Sequence, residues 1–176
     1  MEVAMEIKRD VYLDRLIVRK HNGLIKVITG IRRSGKSYLL NTLFYRHLIA
    51  ENISEDHIIK FAFDSAEDLL KSGEDPIVLD NEKEDRKVDP SKFINWLMPQ
   101  IKGDGMYYLL LDEVQKLGAF ESVLNGFLRR ENLDVYVTGS NSKFLSKDVL
   151  TEFRGRGDEV HVLPLSFSEY YTFKQG

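Results

Sequence analysis

The sequence has no cysteine, which removes a disulfide framework and any thiolate metal site. Its four histidines are scattered, with no pair at ligand spacing, so a zinc site is not expected. No apolar run approaches the roughly 18 residues that a membrane span requires. The opening MEVAMEIKRD has no apolar signal core. Neither sign of charge dominates. The 25 Lys and Arg against 28 Asp and Glu leave −3, too little for a global pull toward nucleic acid or an anionic membrane, although a local basic patch stays open. These absences lead to the expectation of a soluble, cytoplasmic domain. At 176 residues and 43% hydrophobic content, the chain suits one domain burying roughly 70% of its unfolded surface.

One stretch organises what is present. Gly30-Ile31-Arg32-Arg33-Ser34-Gly35-Lys36-Ser37 fits the phosphate-binding pattern G-x-x-x-x-G-K-[ST]. The glycines let the backbone curl so that successive N–H groups face an anion. Lys36 brings a compact cation to the β- and γ-phosphates, and the Ser37 hydroxyl can take a Mg²⁺ position. Leu24–Thr29 reads as a strand entering the loop, and Leu39, Leu40, Leu43, Phe44 and Leu48 repeat at helical spacing after it. Strand, loop and helix N-terminus in that order favour phosphate through backbone dipoles. Tyr38 belongs to the same binding segment.

Ahead of the loop, residues 7–20 read as an amphipathic helix carrying Ile7, Val11, Tyr12 and Leu16 on its apolar side, ended by Gly23. Tyr12 has two readings, a ring stacked on an adenine or a core tyrosine with its hydroxyl at the surface. Beyond the loop helix, Ile58–Phe63 is a second strand. The charged stretch 65–90 reads as a solvated connection with a brief helix near Ala66–Leu70. Asp89-Pro90 starts a helix with Phe93, Ile94, Leu97 and Ile101 on one face.

Met106–Leu111 is the most apolar run, as expected of a strand in a parallel sheet covered on both faces, and Asp112-Glu113 follows it at once. Carboxylates there stand at the edge where open α/β sheets bind ligands. Asp112 suits the Mg²⁺ shell, and Glu113 suits a base that polarises the attacking water. After a helix from Phe120 to Leu128, a strand at Val135–Val137 ends in Thr138-Gly139-Ser140-Asn141. Asn141 or Ser140 can reach a γ-phosphate, and Asn141 or Ser142 can cap the next helix; the two readings are compatible. Arg154 and Arg156 stand between glycines before a last strand, Glu159–Leu163. They read either as loop anchors or as fingers reaching a neighbouring subunit. Ser166 and Glu169 form a capping-box pattern that opens a final helix.

These segments resemble the AAA+-like P-loop ATPases of bacteria and archaea. The resemblance rests on ITGIRRSGKS, LLLDEVQ, YVTGSNS and an F-R-G-R stretch ahead of PLSF-x-E, from Leu24 to Tyr171. It implies a three-layer α/β fold with a mainly parallel five-stranded sheet in the order 5-1-4-3-2. It also implies ATP as substrate with Mg²⁺. The expected organisation is an N-terminal helix over 1–23, the ATPase core over 24–165, and over 166–176 the start of a helix leading to an absent C-terminal region. Family members are commonly larger, and the helical lid with its own arginine found in many of them is not evident here. Glu113 favours turnover over a purely regulatory nucleotide sensor. A GTPase is not supported, since Asn141-Ser142-Lys143-Phe144 departs from N-K-x-D. A homo-oligomer and an unidentified protein or nucleic-acid partner remain open, the latter through Arg32, Arg33, Arg129, Arg130, Arg154 and Arg156.

Overall fold

The computed structural model describes residues 7–81, 86–140, 153 and 155–175. Five strands form one sheet: β1 (Ile25–Thr29), β2 (Ile58–Ala62), β3 (Tyr107–Asp112), β4 (Leu133–Thr138) and β5 (Gly157–His161). Every pairing is parallel and the order is β2-β3-β4-β1-β5, the order expected from the resemblance. Parallel strands need covered faces, and the residues of β1, β3 and β4 are buried throughout.

The strand period of two divides the core into two clusters. One holds Val27, Phe61, Leu109, Leu111, Val135 and Val137 against Phe93, Leu97, Phe120, Leu124 and Phe127. Those partners come from α5 (Pro90–Leu97) and α6 (Phe120–Phe127), which follow four helices among the described residues. The other cluster sets Ile28, Leu110, Tyr136 and Val160 against Leu16, Leu40, Leu43, Phe44 and Leu48. Its helices are α1 (Asp10–Ile17) and α2, which starts at Lys36–Tyr38, passes through a π-helical stretch at Leu39–Phe44 and ends in Tyr45–Ala50. The result is the three-layer arrangement. Trp96 serves the first cluster, its ring 4.8 Å from that of Phe61.

Three local expectations change. The first helix is shorter than 7–20, and Val11 is 63% exposed rather than on the buried side. Gly23 does adopt a left-handed backbone (φ 73°), but five residues beyond the cap at Val18, in the turn that leads to β1. The charged connection contains a second helix besides α3 (Ala66–Lys71), namely α4 (Pro76–Asn81). Asp75 starts it, its Oδ1 accepting from the Ile77 N–H at 2.9 Å, with Pro76 in the first turn. Asp89 and Pro90 open α5 in the same way, Asp89 Oδ1 accepting from Ser91 N–H at 2.7 Å. In the last helix, α7 (Phe167–Gln175), the capping box is closed both ways. Ser166 N–H donates to Glu169 Oε2 at 2.7 Å, and Glu169 N–H to Ser166 Oγ at 3.2 Å.

At the N-terminal ends of the strands lies a buried polar network. Lys26, with no exposed surface, pairs with Asp134 and donates to the Leu24 carbonyl at 2.9 Å. The Tyr136 hydroxyl donates to Asp134 at 2.8 Å and the His21 N–H at 3.1 Å. Burial pulls the Lys26 ammonium below its ordinary value while Asp134 pulls the other way. Burial beside Asp134 pushes the Tyr136 hydroxyl up.

Candidate nucleotide site

At the other end of the sheet, β1 runs into the glycine loop. A Cβ on Gly30 would lie 2.3 Å from the Val162 carbonyl oxygen and 2.8 Å from Ser34 Oγ, so no side chain fits. The loop therefore leaves its strand pressed against the exit of β5. Arg33 and Gly35 take left-handed conformations (φ 66° and 89°), and such alternation folds successive N–H groups into a concave anion cradle. Ile31, Arg32 and Arg33 are exposed, whereas Ser34 and Lys36 are buried. Lys36 Nζ donates to the Gly30 and Ile31 carbonyls at 3.0 Å each. Burial pulls its pKa below the usual lysine value, against the opposing pull of Glu113 and Asp112.

The register Leu111↔Val137 and Ile28↔Thr138 brings the ends of β3, β4 and β1 side by side. Asp112 Oδ1 accepts from Ser37 Oγ at 3.0 Å, joining two motifs 75 residues apart. It also accepts from the Thr138 hydroxyl, while Oδ2 accepts from Asn41 Nδ2 at 3.2 Å. Asp112 is 6% exposed, and burial pushes its carboxyl above the usual range, the Thr138 and Ser37 bonds opposing. Its partners are neutral: among the described residues no cation stands within ion-pair distance of it.

Glu113 follows at a left-handed bend (φ 55°), a conformation that costs a non-glycine residue about 1–3 kcal/mol and occurs preferentially at working sites. Its N–H donates to Thr138 Oγ1 at 3.0 Å. Its carboxylate Oε2 accepts from Ser140 Oγ at 2.8 Å and from the Gln115 amide. Among the described residues Ser34 Oγ and Gln115 Oε1 are buried without a hydrogen-bond partner, two polar atoms left over at a site otherwise well satisfied.

The residues present suit Mg²⁺. A hydroxyl and a carboxylate converge, both hard oxygen donors, and Mg²⁺ usually takes only one or two protein ligands beside waters and phosphate oxygens. No group of three or more His, Asp or Glu side chains able to hold a metal alone occurs among the described residues.

The site thus gathers Gly30–Ser37, Asp112, Glu113 and Ser140. Asn41 and Thr138 had not been singled out, although Asn41 lies four residues after Ser37, one turn along the same helix face. Arg9 was also missed, and no motif marks it. Tyr12 is half-buried beside the loop, with the Arg9 guanidinium 4.5 Å from its ring centroid and its hydroxyl accepting from Leu163 N–H at 3.3 Å. Arg156 lies elsewhere. Its carbonyl accepts from Ile25 N–H at 2.8 Å, at the start of β1, so the five-residue strand separates it by roughly 15 Å from the phosphate loop of its own chain. It lines a cleft with Ser122, Asn125 and Arg129. Asn141 and Arg154 lie outside the described residues.

A parallel sheet in this order, a glycine loop after β1 and an acidic pair after β3 define an AAA+-like P-loop ATPase domain. A family model described as an AAA domain matches residues 22–171, and the chain belongs to that family. An uncharacterised protein of Haemophilus influenzae is 35% identical over 176 residues, 99% of this chain and 39% of the relative. An uncharacterised protein of Methanocaldococcus jannaschii is 32% identical over 178 residues, 97% of this chain and 32% of the relative. The chain therefore spans 39% and 32% of these relatives' length. Among solved structures, C. elegans PCH-2 is similar in fold with a TM-score of 0.56 and 19% identity, over 96% of this chain and 46% of that one. AMPPCP-bound DnaA from Aquifex aeolicus gives a TM-score of 0.53 and 18% identity, over 96% and 49%. At such identities the likeness concerns the fold.

Proposed function

We propose that the chain binds ATP with Mg²⁺ and hydrolyses it, acting as a switch or motor within a longer cytoplasmic protein. The observation that carries the reading is the 3.0 Å bond between Ser37 and Asp112, which joins the phosphate loop and the acidic pair into one site. The loop N–H groups and Lys36 would bind the β- and γ-phosphates, and Ser37 and Asp112 would hold the metal. Mg²⁺, when bound, neutralises phosphate charge that would otherwise repel the nucleophile. Glu113 takes a proton from water as the water oxygen bonds to the γ-phosphorus. The bond to the β–γ bridging oxygen breaks, giving ADP and inorganic phosphate. Ser140 and Gln115 orient the carboxylate. Tyr12 is the residue assigned to the adenine side of the site.

The test is Lys36→Ala, which removes the loop's own cation and should abolish most ATP binding by the purified protein. Unchanged affinity would overturn the assignment. A second reading, a sensor that holds ATP without turning it over, draws support from the engagement of Glu113 Oε2 by two donors. ATP still intact on the protein after prolonged incubation would favour it.

Arg156 is assigned to a neighbouring subunit's γ-phosphate, because its own phosphate loop is a strand length away, and Arg154 shares the assignment. The partner is then a second copy of the chain. Hydrolysis per chain should rise with protein concentration, and mixing Arg156→Ala with Lys36→Ala chains should recover activity that neither has alone. A rate flat with concentration and no recovery would remove the finger. The Haemophilus and Methanocaldococcus relatives carry no functional name, so protein or nucleic-acid partners belong to the unassigned part of the reading.

A further inference from the structure

Arg9 is 6% exposed and stands just before α1 in a left-handed conformation (φ 47°). Its guanidinium faces three separate parts of the chain. One terminal nitrogen donates to the Ser34 carbonyl in the phosphate loop at 2.8 Å. The other donates to the Leu163 carbonyl, just past β5, at 2.6 Å. Nε lies 3.2 Å from Glu169 Oε1 on α7. A Cβ built on Gly35 would come within 3.4 Å of the first terminal nitrogen, so the cation lies directly against the loop backbone. A buried arginine is expensive unless its planar fork is matched; here each terminal nitrogen donates to a carbonyl of a different segment, while Nε makes no hydrogen bond and meets Glu169 as an ion pair.

Among the described side chains, the far end of this connection buries little apolar surface. On α7, Phe167 is 81% exposed and Tyr170 and Tyr171 are about half exposed, so burial of these rings contributes little to docking the helix. Glu169 is meanwhile fully employed: Oε2 closes the capping box on Ser166, and Oε1 faces Arg9. The loop end is adjustable by the nature of its task. The Ser34 carbonyl belongs to the same short arc whose N–H groups would turn to a phosphate, so any shift of that arc on ligand binding moves an acceptor of Arg9.

We propose that Arg9 is a positioning residue for the phosphate loop and that, through Glu169, it couples occupancy of the loop to the docking of α7. The proposal rests on the ATP reading given above. It assigns a direction to the output: ATP is felt at the helix that leaves the sheet, by way of one guanidinium. Because Arg9 touches no reacting atom, its loss should weaken ATP binding while a smaller change follows in the turnover of the ATP that does bind.

The experiment uses the whole chain, with Mg·ATP as ligand, Lys36→Ala as the control for specific binding, and two readouts. The first is ATP affinity. Arg9→Ala should lower it about tenfold, the scale of one charge-assisted hydrogen bond. Arg9→Lys should not restore it, since an ammonium cannot serve three directions in one plane. Glu169→Gln should lower it by a smaller factor and should have no effect in the Arg9→Ala background. The second readout is amide hydrogen exchange of residues 167–175. ATP should slow it in the wild type and should have no effect in Glu169→Gln or Arg9→Lys. Glu169 is partly exposed, so its substitution keeps the test valid if Arg9→Ala does not fold. Wild-type affinity in Arg9→Ala would overturn the positioning role. An ATP effect on α7 that persists in Glu169→Gln, or is missing in a wild type that binds ATP, would overturn the coupling. If wild type and Lys36→Ala both fail to bind ATP, the functional reading falls first.

Discussion

Two lysine–carboxylate networks sit at opposite ends of the same sheet, and they are built on opposite plans. At the N-terminal ends, Lys26 and Asp134 neutralise each other directly, and Tyr136 and His21 fill the remaining acceptor positions. At the C-terminal ends, Lys36 bonds to backbone carbonyls and Asp112 to hydroxyls and an amide, so neither charge is cancelled by the other. The first network is closed and has nothing left to offer a ligand. The second keeps a cation and an anion apart at a solvent-reachable edge, the charge pattern that Mg·ATP would complete. A buried lysine and a buried aspartate are thus no mark of a site in themselves; whether they satisfy each other decides.

That contrast can be broken by substitution. Glu113→Gln, at the open end, should cut hydrolysis by roughly 10²–10⁴, because the amide cannot accept the proton of water. ATP binding and the urea midpoint should stay at wild-type values. Turnover near the wild-type rate would show that Glu113 is not the base. Lys26→Ala, at the closed end, strands Asp134 in the interior and should cost about 3–5 kcal/mol in urea unfolding. ATP affinity of the folded fraction should be unaffected, and a loss of affinity at preserved stability would undo the division between the two ends. Asp112→Asn supplies the finest test. Its charge has no cation partner among the described residues, so removing it should change stability by less than about 1 kcal/mol while ending Mg²⁺-dependent hydrolysis. A loss on the scale of Lys26→Ala would mean that Asp112 also serves the fold.

Much of this was legible in the sequence because it is written in local patterns. The glycine loop, the acidic pair and the alternation of polar caps with apolar runs each occupy a few adjacent residues, and the sheet order follows from the family they resemble. What stayed hidden was of two kinds. Asp75-Pro76 carries the same start signal as Asp89-Pro90, but surrounding charge hid a helix of only six residues whose Ile77 and Val78 remain exposed. Arg9, Asn41 and Thr138 depend on contacts with segments distant in sequence. Arg9 reaches across 25 residues to Ser34 and 154 to Leu163, and nothing near Arg9 in the sequence marks that reach.

The position of β4 has a consequence in time. It lies between β1 and β3 in the sheet but follows both in the chain. On the ribosome, at roughly 5–20 residues per second, the glycine loop and the acidic pair both emerge before the strand that must separate them in space. Until Leu133–Thr138 has been made, β1 has no neighbour to its right or left, since β5 comes later still. The nascent chain therefore carries both halves of a phosphate site for about 1–5 seconds without the means to join them. Ser37 meets Asp112 only after Thr138 arrives, and Arg9 waits for Glu169, far along the chain from it.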